Sequence, residues 1–179
     1  MPGQIKHVAA NFVAELCPNC AMCCNGVLFK DVELQPDDDA AKLKALGLPV
    51  SKARVAKFPQ PCAALEGCTC RIYADRPVRC WDFDCALLQS VASGETDTTA
   101  ALRVIRRTRE RSEKVRALLR EAGDTEETLA LSLRFKRTKK KFESSPPDDE
   151  RADTFSRLTL AVHDLNLLLS EKFYPSPAD

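Results

Sequence analysis

Nine cysteines lie between Cys17 and Cys85, and none follows in the rest of the 179-residue chain. This distribution limits the possible folds more than any hydrophobic pattern does. Thiols gathered in one half of a chain cross-link as disulfides, chelate metal or carry thiol chemistry, and the compartment decides among these. No stretch approaches the roughly 18 consecutive apolar residues of a membrane span. The N-terminus lacks a basic region followed by an apolar block and a small-residue cleavage site. The expectation is therefore a cytoplasmic protein with no membrane segment, in which clustered cysteines bind metal in preference to forming disulfides.

The first block reads Cys17-Pro-Asn-Cys20-Ala-Met-Cys23-Cys24. Two residues between thiols suit a turn in which both sulfurs reach one ion, and thiolates are soft ligands for zinc, iron and iron–sulfur clusters. If the block is helical, Cys17, Cys20 and Cys24 share a face about 60° wide at 100° per residue, with Cys23 on the flank. If it is a loop, Cys17, Cys20 and Cys23 match the CxxCxxC run that wraps an iron–sulfur cluster completed by a distant cysteine. The second block contains Cys62, Cys68, Cys70, Cys80 and Cys85 with no second CxxC pair. That spacing disfavours a zinc ribbon built from two knuckles. Arg76 and Arg79 fall between these thiols, where guanidinium groups would offset thiolate charge. Arg76 is expected to pair with Asp75 or Asp82, or to cap a turn.

Taken together, CxxCxxCC, then Cys62 with Leu65, Cys70-Arg71-Ile72-Tyr73, Arg76-Pro77 with Cys80, and Phe83 with Cys85 resemble the YkgJ-type cysteine-cluster family. That family is described as chelating zinc or iron, and its cluster also occurs in flagellin lysine N-methylases. The resemblance covers roughly residues 17 to 88. It implies metal ligation by Cys17, Cys20, Cys23, Cys24, Cys62, Cys70, Cys80 and Cys85. Cys68 is extra to the pattern and reads first as a small buried hydrophobe, with a substitute ligand as the alternative. Eight thiols exceed one tetrahedral site, so two sites or one polynuclear centre are both open. His7 and His163 are not needed as ligands, and His163 sits within an amphipathic helix. Tyr73, Trp81 and Phe83 read as packing around the site.

The expected fold is mainly α with minor β: a cysteine-cluster module over residues 5–92, then a helical region of about three helices over 95–174 that packs on it. Ile5, Val8, Ala9, Phe12, Val13 and Leu16 recur at helical spacing ahead of Cys17. Val27 to Leu34, Arg54–Phe58 and Cys70–Tyr73 are candidate strands. Asp37 to Asp39 open a short helix that Gly47 and Pro49 close. Ala101, Ile105, Thr108, Ser112, Val115, Leu119 and Ala122 step by four and three along one face of a long helix stopped by Gly123. Asp124 with Glu127 has the spacing of a capping box for the next helix, carrying Leu129, Leu133 and Phe135. Ser144-Ser145-Pro146-Pro147 breaks the chain before a last helix marked by Phe155, Leu158, Val162, Leu165 and Leu169 and ended by Pro175.

The net charge is +1, yet residues 101–142 hold 14 basic and 6 acidic side chains. Arg106-Arg107-Thr108-Arg109 and the run Lys136 to Lys141 form a basic helical surface. With no interleaved aromatic platform, it reads first as a solvated face and second as a contact for nucleic acid or an acidic protein. No cofactor-binding glycine loop or nucleophile–base pair marks an enzyme. The reading is a zinc- or iron-chelating protein. An iron–sulfur enzyme or electron carrier is the alternative, and a module with structural zinc and a basic face the second one. The first half has many turns and few large apolar side chains, so metal is expected to hold it together. One structural zinc contributes about 10–16 kcal/mol in peptide models, comparable with the stability of a whole domain.

Overall fold

The computed structural model describes residues 3–51, 54–144 and 148–175, with side chains from residue 12 onward. The expected apolar contacts of Ile5, Val8 and Ala9, the role of His7, and Ser145 to Pro147 lie outside the described residues. Among the described residues, seven α-helices and four very short strands follow one another, a mainly α fold with minor β.

Helix α1 (Gly3–Cys20) runs through the first two cysteines instead of stopping ahead of them, with Pro18 inside its last turn. Strand β1 (Asp31–Glu33) pairs antiparallel with β2 (Lys57–Pro59), placing Val32 opposite Phe58. Both are shorter than the hydrophobic pattern predicts. Val27 and Leu28 are buried in a turn instead of extending β1. Between them, α2 (Ala40–Ala45) starts at Asp39, whose carboxylate accepts from the amides of Ala41 and Lys42, and ends before Gly47 at φ 92°. Strands β3 (Leu65–Glu66) and β4 (Thr69–Cys70) form a hairpin around Gly67 and Cys68. The expected strand beyond Cys70 gives way to a 3-10 turn at Tyr73–Asp75. Helices α3 (Val78–Asp82) and α4 (Ala86–Ala92) complete the cysteine-bearing half.

Helix α5 (Thr98–Glu121) buries Ala101, Ile105, Thr108, Ser112, Val115 and Leu119, the face that its sequence period marks out. Helix α6 (Leu131–Glu143) starts later than the capping-box spacing predicts. Asp124 does not cap it; buried, it pairs instead with Arg134, its Oδ1 accepting from Nε at 2.8 Å. Helix α7 (Asp149–Lys172) packs along α5 and buries Leu158, Ala161, Leu165 and Leu169 against it.

Two hydrophobic cores result. The larger joins Leu16, Met22, Val27 and Leu28 from the first cysteine block to α4, α5 and α7. The smaller gathers Leu34, Leu43, Leu48, Val50, Phe58, Ala64 and Ile72 from the segment between the two cysteine blocks and from the hairpin. Each core carries its own thiols.

Candidate metal centre

A tight turn separates the first four cysteines. Ala21 ends α1 in the left-handed region at φ 57°, and its carbonyl accepts from the amides of both Cys24 and Asn25 at 2.9 Å. A left-handed residue that is not glycine is uncommon and marks a backbone held by its surroundings. Here it reverses the chain between Cys20 and Cys23. Gly26 follows at φ 77°, wedged where a Cβ would stand 3.1 Å from Pro61 Cδ and 3.0 Å from Ala130 Cα.

The second block is fastened to the first through its backbone. The Cys62 amide donates to the Cys24 carbonyl at 2.8 Å. Ala64 N–H donates to Cys62 Sγ at 3.4 Å, the kind of amide contact that stabilises a thiolate. The β3–β4 hairpin then sets Cys70 opposite Leu65. Cys80 lies in α3, whose first amide, Val78 N–H, donates to Asp38 Oδ1 at 2.8 Å, while Asp38 Oδ2 accepts from Gln35 N–H at 2.7 Å. That carboxylate ties α3 to the loop after β1. Cys85 stands at the N-cap of α4, held from the far end of the chain by Ala86 N–H donating to Phe173 O at 3.1 Å.

These anchors sort the eight thiols into two neighbourhoods. Cys23 is crowded by Cys20, Cys85, Cys24 and Cys17, and Cys20 by Cys85, Cys17 and Cys68. Cys24, although next in sequence, is crowded mainly by Cys62, Cys80 and Cys70 and less by Cys17. Packing draws the same line. Cys20, Cys23 and Cys85 lean on the larger core, whereas Cys62, Cys70 and Cys80 lean on the smaller one.

Burial pushes the Cys17, Cys20, Cys23, Cys24, Cys62, Cys80 and Cys85 thiols up, and neighbouring charges add to it for most of them. Cys20, Cys24 and Cys80 rise to about 12 and Cys17 to about 11, from an ordinary 9.0. Cys17 belongs to an exposed residue, yet its sulfur is crowded by protein atoms. Cys23 rises well above the ordinary value by the same causes, and Cys62 and Cys85 rise too, with nearby backbone amides pulling against burial. Without metal the pocket favours neutral thiols. A cation that compensates four thiolates at once reverses that preference.

Arg76 departs from its expected role. Asp75 pairs with Lys42 at 2.7 Å instead. The Arg76 guanidinium lies between two aromatic rings, 3.8 Å from the Tyr73 centroid and 3.9 Å from that of Trp81. From there its charge acts on Cys17 in one neighbourhood and Cys80 in the other. Arg79 is exposed. Cys68 sits at the margin of the first neighbourhood, where it accepts a hydrogen bond from Arg109 Nη1 at 3.2 Å. It lines a cavity of about 220 Å³ with Cys20, Arg109 and Arg116, so it is not the buried hydrophobe that its spacing implies. His163 is exposed on α7. Phe83 stacks edge-on against Phe29 with centroids 5.0 Å apart.

Among the described residues, no three His, Cys, Asp or Glu side chains are already drawn together as a formed metal site. The donor chemistry nevertheless fits zinc or iron: free thiols, none in a disulfide. The family model CxxCxxCC, described as "Putative zinc- or iron-chelating domain", matches residues 16–117, more than half of the chain. The chain belongs to this family. The match runs beyond the cysteines into α5, the helix whose Arg109 reaches Cys68. Comparison with curated proteins and with solved structures finds no match.

The thiols are readable from the sequence, but their partition is not. The Cys24–Cys62 junction, the Asp38 anchor and the aromatic enclosure of Arg76 all arise from contacts distant in the chain or from turn geometry. Only the position of Arg76 between thiols hinted at its part.

Proposed function

We propose that this protein binds two metal ions, zinc or iron, in two separate four-cysteine sites. Cys17, Cys20, Cys23 and Cys85 form one; Cys24, Cys62, Cys70 and Cys80 form the other. The observation that carries this reading is packing: Cys20, Cys23 and Cys85 rest on the larger core and Cys62, Cys70 and Cys80 on the smaller, with the Cys24 carbonyl tied to the Cys62 amide. Four sulfurs complete the coordination of a tetrahedral structural site and leave no open position. Bound metal supplies the charge that allows the buried thiolates to stay deprotonated. The chain's own part is to bring distant thiols together and to set Arg76 beside them.

A second reading applies to the first site alone. Cys17, Cys20 and Cys23 are a CxxCxxC run, and Cys85 is the distant cysteine that such a run requires to hold an iron–sulfur cluster. Metal analysis and absorption of anaerobically purified protein separate the two readings. Two metal ions per chain without visible colour support paired mononuclear zinc sites. Brown protein with broad absorption and acid-labile sulfide supports a cluster in the first site. Protein without bound metal that also fails to take up Zn²⁺ or Fe²⁺ after reduction contradicts both.

A further inference from the structure

We infer that the outer face of α6 binds the phosphate backbone of a nucleic-acid duplex without reading its sequence. The basic side chains of this helix divide by contact. Arg134 is buried in its pair with Asp124, and Lys139 meets Glu143 at 3.7 Å. Lys136, Arg137, Lys140 and Lys141 are exposed and fall within about 140° of arc at 100° per residue. Among the described residues, no carboxylate lies within salt-bridge distance of Lys136, Lys140 or Lys141, and Arg137 has only Glu126 at 4.0 Å. On the opposite side of the helix, Phe142 stacks on Phe155 with centroids 4.1 Å apart. That contact and the buried Arg134–Asp124 pair hold α6 in place, so the basic face is presented on a fixed element.

Stability does not account for this arrangement. Lys136 with Lys140, and Arg137 with Lys141, are like charges four residues apart, which oppose helix formation. Basic groups suit a helix C-terminus, which explains Lys140 and Lys141 but not the two cations one turn earlier. A polyanion offsets the repulsion, and the face selects among polyanions. None of the large apolar side chains exposed among the described residues lies on α6. A protein partner would therefore find no apolar anchor for the centre of its interface. The two rings of α6, Phe135 and Phe142, are both committed to Phe155, leaving none on which the bases of a single strand could stack. Duplex backbone contacts need only cations. Lys136 to Lys141 cover about 7.5 Å of helix at 1.5 Å per residue, and a duplex carries about four charges over that length.

The experiment is fluorescence anisotropy of short labelled duplexes of mixed sequence, one DNA and one RNA, with the full-length protein as purified, across a series of NaCl concentrations. Log affinity should fall against log salt with a slope of about −3 to −4, as four phosphate contacts give. K136Q, K140Q and K141Q should each make that slope shallower by about one, and the triple variant should retain a slope near −1. K139Q, on the other side of the helix, should leave both slope and affinity unchanged. Either duplex binding more tightly supports the inference and names the source of the backbone. The substituted side chains are exposed, so helical circular dichroism should be kept; if the triple variant loses it, the single variants decide. Absence of binding at low salt, or a slope that K136Q and K140Q do not alter, overturns the inference. So does a single strand bound more tightly than either duplex. Polyglutamate that displaces the duplex at a lower concentration of charge also overturns it, by assigning the face to an acidic protein. The readout does not involve the thiols, so failure of the two-site reading leaves this inference standing, and the reverse.

Discussion

The Cys62 amide donates to the Cys24 carbonyl at 2.8 Å, so two thiols 38 positions apart leave a single hydrogen-bonded junction. Cys23, the immediate neighbour of Cys24, has no such tie among the described residues and packs with Cys20 and Cys85 on the larger core. Substitution should reveal that division. Cys24→Ser and Cys62→Ser should each lower metal content by one ion per chain while leaving the other site filled. Cys20→Ser and Cys85→Ser should remove the complementary ion, and Cys68→Ser should leave both. Elemental analysis after desalting checks this. If Cys24→Ser and Cys20→Ser remove the same ion, the eight thiols serve one centre.

Gly26 carries a second test, because it packs where the cysteine turn meets both Pro61 and the start of α6. Its φ is 77°, and an added Cβ would sit 3.0 Å from the Ala130 backbone. Its carbonyl also accepts from Leu131 N–H at 2.9 Å, which fixes the approach of α6. Gly26→Ala therefore combines a left-handed backbone penalty of about 1–2 kcal/mol with overpacking of about 1–3 kcal/mol. The expected loss is roughly 2 kcal/mol or more, read from denaturant unfolding of the metal-loaded protein. Gly67→Ala shares the positive φ at 61° but meets nothing within 4 Å, so it should cost less.

The contrast between α5 and the cysteine turn shows which features the sequence makes readable. The buried face of α5 follows a local period, so Ala101 through Leu119 could be placed without knowledge of the rest of the chain. The eight thiols were likewise visible as residue types at suggestive spacings. Their division depends on the Cys24–Cys62 junction and on which core each segment joins, and neither leaves a local period. Asp124 departs from its motif for a related reason. Its spacing to Glu127 satisfies a capping motif, but a guanidinium ten residues later competes for the same carboxylate and wins by burial. The short strands follow the same logic: Val27 and Leu28 are apolar because the larger core needs them in a turn, not in β1.

The Asp124–Arg134 pair is itself open to test. Both side chains are about 2% exposed, and Arg134 Nη2 also donates to the Asp124 carbonyl at 3.1 Å. Removing one partner leaves an uncompensated buried charge, which typically costs about 3–5 kcal/mol. Asp124→Ala should therefore destabilise the chain by an amount in that range, with a fall in the denaturation midpoint. Adding Arg134→Met to it removes the stranded charge and should recover part of the loss. A double variant less stable than Asp124→Ala alone would contradict this account of the pair.

Stability of the metal-free chain should depend on alkaline pH in a defined direction. Cys20, Cys24 and Cys80 are pushed up to about 12 and Cys17 to about 11, chiefly by burial. Above the ordinary thiol value of 9.0 an unfolded chain releases these protons while the folded chain retains them. The unfolded state then binds fewer protons, so stability falls as pH rises. The contribution is complete below about pH 9 and is lost as pH rises from about 9 toward 12. Lys42 and Lys57, raised by hydrogen bonds to Asp75 and Asp31, act in the same direction, but their pairs are solvent-exposed and worth little. Denaturant midpoints of reduced, chelator-treated protein should therefore drop above about pH 9. The drop should be smaller in a Cys24→Ser, Cys80→Ser double variant that keeps both lysines. Metal reverses the trend, because each ion displaces protons from its thiols and is released by acid. An apo midpoint that stays flat through this range would mean that the thiols are not held neutral by burial.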